Sequence, residues 1–199
     1  MTSRNVLPLP DSVDREVGGR IRALRTAQGL SLENLATAGG LSIGFLSQIE
    51  RGLSSPSLKV LAALADALGL SLGALFEPRS PAPPAEQIVL HESERARLQL
   101  WRSGIVKQLL TPGEAGASLN VYLVILAPGA DTGEEAYTHQ GEEAGLVLEG
   151  AMRLTVEERS WQLDAGDSFR FASDRPHRFA NASEGETRVV WVNALGPAR

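Results

Sequence analysis

The sequence predicts two fold classes in one chain, a bundle of five helices followed by a small β-barrel. Apolar residues recur with a helical period in the first part and alternate, as in strands, in the second. Between these parts, residues 77–86 contain four prolines, too many for a helix or a central strand. We therefore expect a flexible tail over residues 1–12, a helical domain over 13–76, a semi-rigid linker over 77–86 and a barrel domain over 87–199.

The composition excludes several classes of protein. The 199-residue chain has no cysteine, which excludes disulfides and thiolate metal sites. Its N-terminus lacks the apolar segment of a signal peptide, and no apolar run approaches the roughly 18 residues of a membrane span. We therefore expect a cytoplasmic protein that does not bind membranes.

The net charge of −5 is confined to the second half of the chain. Residues 1–78 contain seven basic and seven acidic side chains and are neutral overall. A neutral domain can still bind DNA if its arginines cluster on one face. The acidic balance therefore does not exclude a nucleic-acid partner for the first half.

Apolar stripes predict the outer helices of the first domain. Val17, Ile21 and Leu24 share one helical face between about residues 14 and 28. A later helix follows Pro56, and a short fifth turn covers residues 71–76. The apolar face of this later helix consists of Leu58, Leu61, Ala62, Ala65 and Leu68.

Two short helices lie between these outer helices. The first ends at Gly39–Gly40, and the second begins after Ser42 and stops at Gly52. Ser31 and Ser42 are good N-caps for them. Two short helices joined by a tight glycine-containing turn make a helix-turn-helix, which places its second helix in the major groove of DNA.

The second of these helices has a core face and a face suited to DNA. Leu46 and Ile49 are three residues apart and are expected in the core. The amide of Gln48 can pair with adenine, the hydroxyl of Ser42 can donate to a phosphate, and Ile43 can touch a thymine methyl. The predicted DNA-binding residues are Leu32, Ser42, Ile43, Gly44, Phe45, Ser47, Gln48 and Arg51.

The motif from Ser42 to Gly52, SIGFLSQIERG, followed by Pro56-Ser57-Leu58, closely resembles the Cro/C1-type helix-turn-helix of the Xre family. The resemblance covers residues 20–76. It implies that Arg25 pairs internally with Glu50. Phe45 is left with two roles, contact with a thymine methyl or packing against a neighbouring helix. Further candidates for phosphate contacts are Arg20, Arg22, Arg51 and Lys59.

Alternation of apolar and polar residues predicts strands in the second half. Leu119, Val121, Leu123 and Ile125 alternate with more polar residues. Many short strands with turn residues between them are typical of a sandwich or barrel. The other predicted strands cover residues 145–149, 152–156, 160–163, 168–171, 178–180 and 187–192.

Two histidines introduce spaced motifs in this half. His139 is followed at the fourth position by Glu143 and then, after six intervening residues, by Gly150. His177 is followed at the fourth position by Asn181. Both spacings resemble the two cupin motifs. The resemblance implies a cupin barrel, a double-stranded β-helix of jelly-roll type with two antiparallel sheets.

These motifs predict one site in the barrel. Two imidazoles and one carboxylate, from His139, Glu143 and His177, form a set that suits Fe(II) and related divalent ions. Tyr137 stands where cupins usually have a further histidine, and it can bind metal or donate a hydrogen bond to a small ligand. The site is therefore either a metal centre for Fe, Zn, Mn or Ni, or an effector site made by these four residues.

The two-part layout resembles a class of bacterial transcription regulators. The resemblance implies a sequence-specific DNA-binding regulator, by default a repressor, whose cupin barrel binds a small-molecule or metal effector that modulates operator affinity. It also implies a homodimer on an inverted-repeat operator. The alternative is a mononuclear non-heme iron enzyme of hydroxypropylphosphonate-epoxidase type, in which the helical domain does not bind DNA.

Overall fold

A computed structural model shows helices followed by strands, in the predicted order. It describes residues 10–70, 75, 88–100, 103–112 and 118–194, without the side chains of residues 10–13, 99 and 100. The predicted linker lies outside the described residues, as does the predicted fifth turn apart from the buried Leu75. The helices are α1 (Pro10–Ala27), α2 (Leu32–Ala38), α3 (Ile43–Glu50) and α4 (Leu58–Ala67).

Helix α1 begins at Pro10, inside the segment predicted as a flexible tail and four residues before the predicted helix start. The prediction was wrong here because it followed the apolar stripe, which begins only at Val17. Proline is favoured at a first helical position, where its missing N–H has no intrahelical partner to lose. The stripe itself is confirmed, since Val17 and Ile21 are buried and Leu24 packs against the core.

The crossing of α1 and α3 explains a glycine inside a helix. A Cβ added to the buried Gly18 would collide with the backbone carbonyl oxygen of Ile49. The neighbouring Gly19 is exposed and has nothing within 4 Å of such a Cβ. The close approach of the two helices therefore requires glycine at one of these positions only.

The helix-turn-helix has the predicted caps and core. The Ser31 side chain accepts a hydrogen bond from the Asn34 N–H, and the Ser42 side chain accepts one from the Phe45 N–H. Gly40, in the turn between α2 and α3, has a φ of +66°, a conformation that favours glycine. The fully buried residues of this core include Leu35, Leu46, Ile49, Leu61 and Leu64.

The second domain is a two-sheet antiparallel barrel, as predicted. A six-stranded sheet has the order β1-β2-β3-β9-β4-β7, and a three-stranded sheet has the order β6-β5-β8. The strands are β1 (Arg97–Leu100), β2 (Ile105–Leu109), β3 (Leu119–Leu126), β4 (Glu142–Glu149), β5 (Ala151–Val156), β6 (Arg159–Asp164), β7 (Ser168–Ala172), β8 (His177–Asn181) and β9 (Thr187–Ala194). The sequence did not predict β1 and β2, because a lysine interrupts the apolar run in β2.

The six-stranded sheet is apolar on its outer surface as well as inside. On β3, Tyr122 and Val124 are buried, whereas Val121 and Leu123 alternate with them on the opposite face. Register places Leu123 beside Val190 of β9, which in turn lies beside Leu146 of β4. We call the outward-facing set of Val121, Leu123, Leu146, Val190 and Val192 the outer face.

Candidate nucleic-acid interface and metal centre

Helix α3 presents an exposed face that begins at its N-terminus. Ser42, Gly44 and Gln48 are exposed, and Ile43 retains 47% of its accessible surface. The Ser42 oxygen accepts the cap hydrogen bond at 3.1 Å, so its own O–H is still available as a donor. This part of the predicted DNA-binding set is accessible to a duplex in the isolated chain.

The other predicted DNA-binding residues have structural contacts as well. Leu32 and Phe45 are half-buried and pack against the core, which is the packing role left open for Phe45. Arg51 is exposed, and its Nε donates to the Ser47 carbonyl oxygen at 3.1 Å. These contacts hold the recognition helix in place and leave its exposed face to the residues around Gln48.

An internal ion pair joins α1 to the end of α3, as the family resemblance implied. The Arg25 Nε donates to Glu50 Oε1 at 2.6 Å, and its Nη2 donates to Glu50 Oε2 at 2.9 Å. The third contact of Arg25 runs from Nη1 to the Leu30 carbonyl oxygen at 2.8 Å. Because both side chains are largely buried, this bidentate pair fixes the orientation of α3 rather than contacting DNA.

The barrel brings the three predicted metal ligands together. His139 lies in the loop before β4, Glu143 is the second residue of β4, and His177 begins β8 on the opposite sheet. The Nε2 atom of His139 lies 3.0 Å from one carboxylate oxygen of Glu143, and Nε2 of His177 lies 3.4 Å from the other. The three candidate ligand atoms lie within 4.8 Å of one another, so one ion can be held by all three residues.

Backbone carbonyls set the tautomers of both histidines. The Nδ1–H of His177 donates to the Arg175 carbonyl oxygen at 2.9 Å, and the Nδ1–H of His139 donates to the Gln140 carbonyl oxygen at 3.2 Å. Because a carbonyl only accepts, each Nδ1 carries a proton. The His139 Nε2 also carries one, which it donates to the Glu143 carboxylate, whereas the His177 Nε2 has no hydrogen-bond partner within the described part of the chain and is left as a lone pair. This is the arrangement that orients a histidine for metal binding.

Two atoms of the site face each other without a hydrogen bond between them. Among the described residues, Glu143 Oε2 and His177 Nε2 are buried and have no hydrogen-bond partner. With the tautomer fixed at Nδ1, both atoms are acceptors. Two buried acceptors that face each other require a cation or a proton between them, so the residues present fit a metal ion.

The pKa shifts of Glu143 and His177 favour the protonation states that a metal needs, whereas the shift of His139 favours a proton that a metal would have to displace. Burial raises the pKa of Glu143, but the hydrogen bond and charge of His139, with the charges of His177 and Lys107, outweigh burial and lower it. Burial lowers the pKa of His177. Burial also opposes protonation of His139, yet its contacts with Glu143 leave the pKa raised. The carboxylate is therefore ionised and His177 is neutral at neutral pH, as metal ligands are.

Tyr137 packs against the site as a neutral phenol. Its ring centroid lies 4.2 Å from that of His177, and the two residues exchange backbone hydrogen bonds of 3.0 Å. Burial, with the charge of Glu143, raises the pKa of Tyr137 well above its ordinary value. A metal-binding phenolate is therefore disfavoured, while a hydrogen bond from the phenol to a ligand is not.

Two further motif residues have structural roles. The Asn181 side-chain amide donates to the carbonyl oxygens of Leu126, Ala127 and Gly185 at 2.8–3.0 Å, which ties the β8–β9 connection to the end of β3. Gly150, between β4 and β5, has a φ of +74°. A Cβ there would collide with the Thr187 side chain, so the motif glycine permits this tight connection.

The barrel interior contains polar residues that the sequence analysis did not single out. Asn193 lies beside Glu143 in the β4–β9 register, and Asn120 lies beside Asn193 in the β3–β9 register. Lys107 of β2 and Ser173 after β7 are also buried. The sequence does contain a signal for the burial of Lys107, because this residue occupies the same alternate positions of the strand as the apolar Ile105 and Leu109.

The chain matches two protein families, the helix-turn-helix over residues 21–75 and the cupin domain over residues 122–193. The HTH-type transcriptional regulator PuuR of Escherichia coli (strain K12) is 34% identical over 174 residues, which are 87% of this chain and 91% of that protein. The chain belongs to this family of HTH-type transcriptional regulators with a cupin domain.

Other relatives of this regulator agree along both domains. The HTH-type transcriptional regulator SutR of Escherichia coli (strain K12) is 27% identical over 174 residues, 87% of this chain and 92% of that protein. The crystal structure of an HTH_3 family transcriptional regulator from Vibrio cholerae superposes with a TM-score of 0.75 at 27% identity, over 95% of this chain and all of that one. These names favour a regulator over the epoxidase-type enzyme.

In this regulator the helical domain touches the loop that carries His139. Lys59 of α4, predicted as a candidate for phosphate contact, forms an ion pair with Glu135 of that loop. Burial raises the pKa of Asp66, also on α4, and the charge of His139 and the backbone N–H of Gln140 oppose that shift. One helix and one loop therefore connect the DNA-reading motif to the metal-ligand cluster. No helix in the described part of the chain is long and apolar enough to cross a bilayer.

Proposed function

We propose that this regulator binds an inverted-repeat operator as a homodimer in the cytoplasm, and that an effector in the barrel changes its operator affinity. The observation that carries the proposal is the ion pair of Lys59 with Glu135, in the loop that carries His139. Any ligand that binds this loop differently in two arrangements of the domains must shift DNA affinity by linkage. Repression is the default sign, because a dimer on an operator can block a promoter.

The recognition surface is the exposed side of α3. Gln48 supplies base contacts in the major groove, Ser42 and Arg51 supply phosphate contacts, and Ile43 touches a thymine methyl. Gly44 allows close backbone approach. Leu32, Phe45 and Ser47 complete the predicted set from the edge of this surface, where their half-buried positions support the helix.

The barrel site is a divalent metal centre or an effector site that uses the same residues. His139, Glu143 and His177 would hold the ion, and Fe, Zn, Mn and Ni all accept this mixture of nitrogen and oxygen ligands. A bound ion would act as a Lewis acid for a ligand donor atom. The chain's own contribution is to fix the two Nε2 lone pairs and the carboxylate, with Tyr137 as the adjoining wall and hydrogen-bond donor.

The outer face of the six-stranded sheet is the dimerisation surface. Leu146 is 40% exposed, and Val121, Leu123, Val190 and Val192 are half-buried around it. A contiguous apolar patch of this kind on a sheet marks an interaction site. Half-sites of an inverted repeat lie about 34 Å apart, one turn of DNA, so two paired copies of the chain are needed to bind both.

Fluorescence anisotropy with the DNA upstream of the protein's own gene tests the DNA-binding part of the proposal. We expect Gln48→Ala to weaken specific binding about 5- to 150-fold, the range for one bidentate base contact. The matched control is Gln162→Ala, an exposed glutamine on β6 of the barrel. Equal affinity of the Gln48 variant and the wild type would show that α3 does not read the bases.

A second arm of the same assay tests the effector part. Adding Fe²⁺ or Zn²⁺ alone should change the operator affinity of the wild type, and Glu143→Gln should abolish the change. Fe²⁺-dependent oxygen consumption by the same preparation, without operator binding, would favour the enzyme over the regulator.

A further inference from the structure

Lys107 is a buried cation inside the barrel with no assigned role. It lies on the inner side of β2, it is 5% exposed, and Lys59 is the other lysine of the chain. Burying an ammonium group is costly unless a counter-charge or hydrogen-bond acceptors compensate it. The Lys107 ammonium therefore needs a counter-charge or hydrogen-bond acceptors at this position.

In the described part of the chain, aromatic rings surround the Lys107 ammonium, but no acceptor forms a hydrogen bond with it. The Nζ atom of Lys107 lies 5.9 Å from the ring centroid of Tyr122, 5.8 Å from that of Phe179 and 5.9 Å from that of Trp191. Rings at this distance attract a cation, but more weakly than an anion would. Among the described residues, no hydrogen bond or ion pair to the Lys107 ammonium is formed.

The charge of Glu143 acts on Lys107, but the carboxylate oxygens of Glu143 contact the two histidines instead. Its charge raises the pKa of Lys107, while burial lowers that pKa more strongly. The Glu143 oxygens lie 3.0 and 3.4 Å from the two histidines, so they face the metal-ligand cluster. Lys107 is therefore attracted by the charge of Glu143 but forms no hydrogen bond or ion pair with it.

A second buried donor, on the Trp191 ring whose centroid lies 5.9 Å from the Lys107 ammonium, also has no partner in the described part of the chain. The indole Nε1–H of Trp191 is buried without a hydrogen bond among the described residues. Trp191 lies beside Gly145 in the sheet register, one inward row from the pair formed by Glu143 and Asn193. An ammonium and an indole N–H, both buried and unmatched, are the donors that an anionic group would satisfy.

We propose that the buried Lys107 and Trp191 form an anion-binding subsite inside the barrel, and that the effector of this regulator carries a carboxylate. The proposal rests on the proposed function, because it assumes that the barrel is the effector site. A carboxylate fits two donors among aromatic rings, whereas a phosphate dianion needs a larger set. A divalent ion held by His139, Glu143 and His177 would add positive charge and strengthen the attraction.

The test uses the full-length protein, with and without Zn²⁺, in a thermal-shift and tryptophan-fluorescence assay. The probes are acetate, butyrate, succinate, glutarate and glutamate, with butylamine and butanol as skeleton-matched controls. The variants are Lys107→Met, which keeps the length of the side chain and removes its charge, and Arg153→Met, which removes a charge from the exposed face of β5.

At a concentration about ten times Kd, we expect at least one carboxylate to raise the Tm of the wild type and of Arg153→Met by roughly 3–6 °C. The same compound should change tryptophan emission, because Trp191 adjoins the site, and it should leave the Tm of Lys107→Met unchanged. Without any ligand, Lys107→Met should melt above the wild type, because it no longer buries an unmatched charge.

Three results would overturn the proposal: no carboxylate stabilises the wild type, butylamine stabilises it equally, or Lys107→Met retains the shift. A ligand-free Lys107→Met that melts below the wild type would show that the lysine is a structural partner of Glu143 instead. Operator anisotropy and Zn²⁺ titration on the same samples keep a failure of this subsite distinct from a failure of the proposed function.

Discussion

At the scale of single residues, the barrel site depends on two acceptors that the fold forces together. Glu143 Oε2 and His177 Nε2 face each other at 3.4 Å, and the Arg175 carbonyl keeps the imidazole proton on the far nitrogen. No side chain of the described residues donates to either atom. The site is therefore built for a cation, and the carboxylate is the ligand whose charge makes binding favourable.

We expect Glu143→Gln to reduce Zn²⁺ affinity by at least about 100-fold, since even residues that only orient ligands contribute about 10- to 100-fold. Isothermal titration calorimetry measures the change. The matched control is Glu142→Gln, whose exposed carboxylate pairs with Arg170 on the surface. Equal affinities for the two variants would remove Glu143 from the metal site.

The buried Lys107 predicts an unusual dependence of stability on pH. Burial lowers its pKa, although Glu143 opposes the shift; the nearby His139 and His177 also respond to its charge. The folded protein thus releases this proton at a lower pH than the unfolded chain, whose lysine pKa is about 10.4. In that window the unfolded state binds more protons, so this group's cost falls as pH rises.

The expected outcome is that Lys107→Met is more stable than the wild type by the largest margin near neutral pH. The margin should shrink as the pH rises toward 10. Thermal melts of both proteins between pH 7 and pH 10 measure it. A margin that widens with pH would contradict the assignment of an uncompensated buried charge.

At the scale of elements, the position of the recognition helix is set by what holds α3 from behind. Gly18 lets α1 approach the Ile49 carbonyl, and the Arg25–Glu50 pair joins the same two helices about two turns further along α1. The exposed residues of α3 are then presented at a fixed angle. Packing of α1 against α3 therefore matters for DNA reading although α1 carries none of the predicted base contacts.

Two alanine substitutions separate packing from helix propensity. Gly18→Ala should destabilise the helical domain by about 1–3 kcal/mol, because the added methyl collides with backbone atoms of α3. Gly19→Ala should stabilise it by up to about 1 kcal/mol, because the site is open and alanine favours a helix. Urea unfolding followed by circular dichroism at 222 nm measures both. Effects of the same sign would show that α1 does not cross α3 closely.

At the scale of the whole molecule, the proposed regulation depends on two copies of the chain and on the contact between its two domains. The outer face provides an apolar surface on which two copies can pair. The contact between the domains consists of the Lys59–Glu135 ion pair, with Asp66 close enough to His139 for their charges to interact. Because exposed ion pairs contribute little stability, a ligand of modest affinity can alter this contact.

Leu123→Asp should convert the proposed dimer to a monomer, because it places a charge at the centre of the outer face, opposite Val190. Analytical ultracentrifugation measures the mass, and operator affinity should fall with it. The control is Ile88→Asp, which changes an apolar residue that is 84% exposed and precedes the barrel strands. A dimer that survives Leu123→Asp would place the interface elsewhere.

The sequence by itself determined the order of the two folds, the caps of α2 and α3, and the spacing of His139, Glu143 and His177. These features are local, because periodicity, capping and motif spacing are fixed by neighbours along the chain. It also placed Val17 and Ile21 in the core of the helical domain. Its errors occurred where local signals are weak, as at the polar start of α1 and in the short strands β1 and β2.

The tertiary structure alone decided which side of β3 faces the core, that Gly18 is required, and that Lys107 lies among aromatic rings. It also brought Lys59 to Glu135, residues that are 76 positions apart. Each of these depends on contacts between segments distant in sequence, so no local pattern specifies them. The physical reason is that burial, and with it the cost of an unmatched charge, is defined only once distant strands and helices have packed together.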